Sequence, residues 1–263
     1  METWLLTNVP TAVLGVAIVG IATAVSVGGL VLVRRSVNLS TLESHHDVAG
    51  FILAVVGVVY AVLLAFVVVV TWQQFEDARA ATDREAAHVG GLYRLSLAFP
   101  RGGPQIRIAL RDYTESVVAQ EWPEIAKHHR ESRETDQALN RVWVAVRAAR
   151  AGGAPQTPFY EEAVTRLVDL AELRRTRVLS SGTRLPVPVW VVLIAGAAIS
   201  IGFTYFFGVR SFAAQALMVG ALAAITGLVL FLILSLDLPF TGDVGVGPTA
   251  MEDVLEEFAH YGG

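Results

Sequence analysis

Apolar and polar positions are unevenly distributed along this chain. Four runs, 9–33, 48–71, 187–207 and 212–236, contain no Asp, Glu, Lys, Arg or His. A hydrocarbon core of ~30 Å takes roughly 20 helical residues to cross, so each run is long enough to span a membrane. Between the second and third runs the pattern changes to apolar positions every three or four residues, the period of a helix with one buried face. The stretch "VVYAVLLAFVVVVTWQQFEDARAATDRE" (Val58–Glu85) passes from one regime to the other without a glycine or a proline. Beyond Trp72, the residues Phe75, Ala78, Thr82, Ala86, Val89 and Tyr93 keep a single face turned toward a partner. The second span is therefore expected to leave the membrane as one rigid helix. If unbroken to Phe99 it is about 75 Å long at 1.5 Å per residue. Gly90-Gly91 is its expected bend, because glycine is a poor helix former.

The rest of the polar stretch reads as helix too. "PRGGP" (Pro100–Pro104) is a turn. A second helix places Ile106, Ala109, Leu110, Tyr113 and Val117 on one face, and Trp122-Pro123 is expected to interrupt it. A third carries Leu139, Val142, Val146 and Ala149, and a fourth opens at Thr157-Pro158 and runs to about Ser181. The fold class is all-α: a four-span polytopic membrane protein with a helical soluble bundle (72–186) inserted between spans two and three. Residues 237–263 form a turn and a short amphipathic acidic tail, whose Met251, Val254, Leu255 and Phe258 are placed to dock on the bundle.

Composition agrees with this reading. Hydrophobic residues make up 54% of the chain and charged residues 17%, with a mean hydropathy of +0.53. A soluble domain carries about a quarter charged residues. The net charge of −4 gives no basis for a nucleic-acid partner. Without cysteine, thiol catalysis, thiolate metal sites and disulfides are excluded. The first run has Glu2 and no basic residue before it and ends in Arg34-Arg35, so it reads as a retained anchor rather than a cleaved signal peptide. Small residues form a seam along three spans: Ala17, Gly20, Ala24 and Gly28 in the first, Gly50, Ala54, Gly57, Ala61 and Ala65 in the second, and Ala216, Gly220, Ala224 and Gly227 in the fourth. Such seams let helices approach closely in lipid, within a chain or between subunits.

Candidate chemistry is sparse. There is no phosphate-binding loop, dinucleotide fingerprint, metalloprotease helix or nucleophile elbow, and neither cofactor nor metal is called for. "ESHHD" (Glu43–Asp47) sets His45, His46 and Asp47 just before span two. They are candidates for proton or ion sensing, against the simpler role of Asp47 as a helix cap. In "LDLPFTGDVGV" (Leu236–Val246), Asp237 is either a conduction-path charge or part of a turn that anchors Phe240 in the interface. Tyr60 and Phe66, the bulky members of span two, are either packing residues or a hydrophobic constriction that gates by dewetting.

The stretches "HDVAGFILAVVGVVYAVLLAFVVVVTWQQFEDAR" (His46–Arg79), "RDYTESVVAQEWP" (Arg111–Pro123), "FTYFFG" (Phe203–Gly208) and "LFLILSLDLPFTGDVGV" (Leu230–Val246), with Leu185-Pro186 and Trp190, resemble the bacterial bestrophin-like membrane protein family. Members of that family carry His-Asn-Asp where this chain has His45-His46-Asp47, a departure that keeps the capping Asp. The resemblance implies four spans with a helical domain between spans two and three, a pentameric anion channel and a pore lined by span two. The acidic calcium clasp of bestrophins has no counterpart here.

Three functional classes follow. The first is a homo-oligomeric ion (anion) channel in the bacterial inner membrane, with the lipid bilayer, further copies of itself and small inorganic ions as partners. The second is a membrane-anchored sensor or scaffold whose bundle binds a partner. The third, an enzyme, lacks a catalytic group set. The arginines near the spans point to both sides. Arg34, Arg35 and Arg210 lie on the face opposite the bundle, whereas Arg79, Arg84, Arg174, Arg175, Arg177 and Arg184 flank the membrane on the bundle's side. The flanking count and the resemblance both favour a cytoplasmic bundle with both termini inside.

Overall fold

The computed structural model describes residues 9–36, 46–149, 157–207, 209 and 211–261, and every regular element among them is a helix. In chain order these are α1 (Thr11–Ser36), α2 (His46–Ser96), α3 (Gly103–Ser116), a π-helical turn (Val117–Glu121), α4 (Trp122–His128), α5 (Arg133–Ala149), α6 (Thr157–Gly182), α7 (Val187–Thr204), α8 (Phe212–Leu236) and α9 (Thr249–Tyr261). Four are long and apolar enough to cross a membrane: α1, α2, α7 and α8. The chain divides into two compact units, 1–73 with 184–237 and 74–183 with 238–263.

In the first unit, α8 packs along α1 through its small-residue seam. A Cβ on Gly227 would meet the Ala22 Cβ and the Val19 Cα at 3.4 Å, and one on Gly220 would meet the Thr23 Cγ2 at 3.5 Å. The seam of span four is thus an intrachain contact. The seam of span one has no such cover among the described residues: Ala17, Gly20, Ala24 and Gly28 are exposed, and neither glycine has a described atom within 4 Å of where its Cβ would lie. At the end of α1, Arg34 Nε donates to Gln215 Oε1 at 2.9 Å and its Nη2 to the Val209 carbonyl. Gln215 Nε2 in turn donates to the Phe207 carbonyl at 2.7 Å, so one buried amide ties α1 to the link between α7 and α8. Val67, Leu193 and Ile233 form a core where α2, α7 and α8 converge. Ser211 caps α8 by accepting from the Ala214 N–H.

The second unit is organised around the later half of α2. Phe75, Ala78, Thr82, Ala86, Val89 and Tyr93 are all buried, the face that the apolar period marks out. The helix runs through Gly90-Gly91 without interruption. The glycines give room to neighbours: a Cβ on Gly91 would lie 2.5 Å from Arg166 Nη1. In "PRGGP" both glycines are required by close approach, since a Cβ on Gly103 would sit 2.1 Å from the Ser96 carbonyl oxygen and one on Gly102 would sit 2.6 Å from the Ala149 Cβ. Trp122-Pro123 does not break the chain's helical course. Pro123 lacks an N–H and crowds the preceding turn, and the wider π-helical turn at Val117–Glu121 takes up the strain.

The turn after α8 is a turn, as its proline, glycine and aspartate indicate. Gly242 has φ 82°, and the Val246 N–H donates to the Pro239 carbonyl at 2.6 Å. It corrects one expectation. Phe240 is buried at 5% exposure and lies edge-on to Trp122 with ring centroids 5.9 Å apart, because the turn folds it into the second unit. The helix α9 docks there too. Met251, Val254 and Phe258 are buried, and Phe258 stacks on Tyr93 at 4.0 Å.

Candidate functional site

The residues that the sequence singles out fall into three places. His45 and the side chains of His46 and Asp47 lie outside the described residues. Asp237 ends α8, and its Oδ1 accepts from the Leu185 N–H at 2.7 Å, joining the end of span four to the start of span three. It is buried at 5% exposure.

Span two holds the rest. Along it Ala54, Ala61 and Ala65 are exposed, Gly50 and Gly57 are half-buried, and Gly57 has nothing within 4 Å of a Cβ position. Within one chain this seam has almost no cover. Tyr60 and Phe66 point to different surroundings. Tyr60 is buried, its hydroxyl donates to the Leu193 carbonyl at 2.9 Å, and its ring fills the space that a Cβ on Gly196 would occupy. Phe66 is 68% exposed. Six residues on one helix turn the side chain through about 240°, so the two cannot share one face.

The second unit contains a charged site that the sequence reading passed over. Glu85 on α2, Glu121 at the end of the π-helical turn, and Arg174 and Arg177 on α6 form a buried ladder. Arg177 Nε donates to Glu85 Oε2 at 2.7 Å and its Nη2 to Glu121 Oε1 at 2.7 Å, while Arg174 Nη2 donates to Glu121 Oε2 at 2.6 Å. Side-chain exposure across these four residues is between 0% and 7%. Tyr113 donates its hydroxyl to Glu85 Oε1 at 2.6 Å, the Ser132 N–H donates to Glu121, and Arg177 lies over the Trp122 ring at 4.9 Å. On the outer side Arg174 also reaches Asp136 at 3.3 Å.

The electrostatics follow from this geometry. Burial alone would raise the Glu121 carboxyl, but hydrogen bonds from Arg174 and the charges of Arg177 and Arg174 outweigh it and hold it below the usual carboxylate range. Burial opposes the charge on Arg177, yet Glu85 and Glu121 push its pKa up, so it stays a cation. Burial, followed by the Glu85 charge, pushes the Tyr113 phenol well above its ordinary value, so it remains a donor. A signal for this site existed. Glu85 stands three residues after Thr82 and four before Val89, and Arg174 and Arg177 continue the stripe Ala163, Leu167, Leu170 toward Ser181, all of them buried. Charges at core positions are rare unless paired. Reading Arg174 and Arg177 as membrane-flanking charges missed that register.

Nothing in this arrangement resembles an acid–base or nucleophile set facing a cavity. Among the described residues, no three His, Asp or Glu side chains converge as metal ligands. An open groove of about 510 Å³ beside the ladder is lined by Asp77, Arg84, His88, Asp169 and Glu172. The chemistry of the molecule is that of a wall of uncharged spans and a buried electrostatic clamp.

The family model of the Bestrophin-like domain matches residues 20–251. The chain belongs to the Bestrophin-like family. Solved structures share the fold. Two mutant forms of a bacterial bestrophin homologue from Klebsiella pneumoniae superpose with TM-scores of 0.71 and 0.68, at 15% and 14% identity. The first covers 93% of this chain and 99% of the other; for the second the shares are 91% and 98%. A structure described as a membrane protein gives a TM-score of 0.71 at 15% identity over 93% of this chain and 98% of its own. No curated protein matches the chain. This bestrophin-like chain is a multi-pass membrane protein with apolar spanning helices.

Proposed function

We propose that this bestrophin-like protein is a homo-oligomeric ion channel, selective for anions, with span two facing the pore and a soluble bundle on the cytoplasmic side of the bacterial inner membrane. The observation that carries the reading is the bareness of span two. Ala54, Ala61 and Ala65 of its small-residue seam and Phe66 are exposed among the described residues, although the helix packs through Tyr60 and Val67 on its other side. Family membership and the absence of Asp, Glu, Lys, Arg and His from the spans support it, because coupled transporters carry such residues in the membrane. In this reading Phe66 is the constriction, and Tyr60 is the residue whose contact with α7 sets the helix's rotation.

Reconstitution of the purified protein into liposomes under a chloride gradient tests the proposal. Flux is expected from the parent, and Phe66→Ala should hydrate the constriction and raise it. A parent that assembles yet carries no ion favours the sensor or scaffold reading. Flux unchanged in Phe66→Ala would remove Phe66 from the constriction.

A further inference from the structure

We propose that the Glu85–Arg177–Glu121–Arg174 ladder is a positioning clamp for the second span, holding α2 in register with α6 and so setting ion flow. This rests on the channel reading. Glu85 belongs to the same unbroken helix as span two, about 21 Å beyond Thr71 at 1.5 Å per residue. Arg174 and Arg177 belong to α6, which is separated along the chain from span three only by residues 183–186. Each of the two clamped helices therefore leads into a membrane span.

The charges make the register discrete. Both arginines share Glu121, and Glu85 holds Arg177 alone through two hydrogen bonds, all in a water-excluded interior. A shift of α2 by one turn would part Glu85 from Arg177 and Tyr113 and leave Arg177 with one carboxylate, so positions away from this register are disfavoured. Arg177 Nη1 is buried and has no acceptor among the described residues, so this guanidinium depends on Glu85 and Glu121 for its partners.

The test uses the full-length protein in liposomes, reading chloride and, in a parallel arm, potassium flux per assembled protein. Glu85→Gln should change flux about five-fold or more, the lower range of coupling between linked sites. Leu139→Ala, which opens a cavity on α5 away from the ladder, should leave flux per assembled protein within about two-fold, so that lost stability alone is separated from lost register. Should Glu85→Gln fail to assemble, Arg177→Lys keeps the charge without the two-pronged contact and is expected to act in the same direction. Hydrogen exchange of segments 78–92 and 167–181 is followed in the same samples, and faster exchange in the clamp variants is expected. Unchanged exchange, or changed exchange with unchanged flux in a conducting parent, overturns the clamp. A parent without flux overturns the channel reading and the gating role with it, while exchange still decides whether the ladder holds the helices.

Discussion

Among single residues, the buried carboxylates carry the largest energetic consequences. Glu121 accepts from Arg174, Arg177 and the Ser132 N–H, with no exposure to solvent. Removing its charge leaves two guanidiniums short of a partner, so Glu121→Gln should destabilise the second unit by about 3–5 kcal/mol, the usual consequence of breaking a buried pair from one side. Chemical denaturation at pH 7 measures this. The same residue sets an acid limb. Its folded pKa lies below the unfolded value of about 4.3, so its stabilisation is fully present above that pH and is lost as pH falls through the folded value. Stability measured from pH 7 down to pH 3 should therefore decline below about pH 4.5 in the parent, and less steeply in Glu121→Gln. Equal slopes would mean that other carboxylates govern the acid limb.

Glycines that look alike in the pattern of helices α2 and α7 do different work. Gly196 on α7 faces the Tyr60 ring, 2.5 Å from a Cβ position, so Gly196→Leu should force α2 and α7 apart and cost about 1–3 kcal/mol or prevent folding. Gly57 on α2 has nothing within 4 Å of a Cβ position among the described residues. Gly57→Leu should leave the folded monomer intact but weaken assembly if that seam meets a second copy. Size-exclusion chromatography with light scattering in mild detergent, together with thermal unfolding, distinguishes the two. A Gly57→Leu protein that assembles as the parent does would remove the seam from the subunit interface. The exposure of this seam was not legible in the sequence, because its spacing is the same as that of the span-four seam, which α1 covers.

For the whole molecule the open quantity is sidedness. Burial of Arg174 and Arg177 in ion pairs does not remove them from the flanking count, since the positive-inside rule acts during insertion and Asp and Glu contribute little to it. A reporter active only outside the cytoplasm, fused after Gly263, is expected to be silent. Activity there would place the bundle outside, with Arg34, Arg35 and Arg210 as the deciding charges.

The four apolar helices, the continuation of span two, the buried face from Phe75 to Tyr93 and the docking of α9 were legible in the residue pattern. These depend on hydrophobic period and run length, which are local properties of the chain. The sequence also supported the family, through stretches such as Leu230–Val246. Tertiary structure alone decided which small-residue seam is covered, that Trp122-Pro123 is passed by a π-helical turn, that Phe240 turns inward against Trp122, and that Glu85 and Glu121 meet Arg174 and Arg177. A charge on an apolar stripe announces only that a partner is needed. Its partner lies 92 residues away for Glu85 and Arg177, and only the packing of helices against one another brings such groups together.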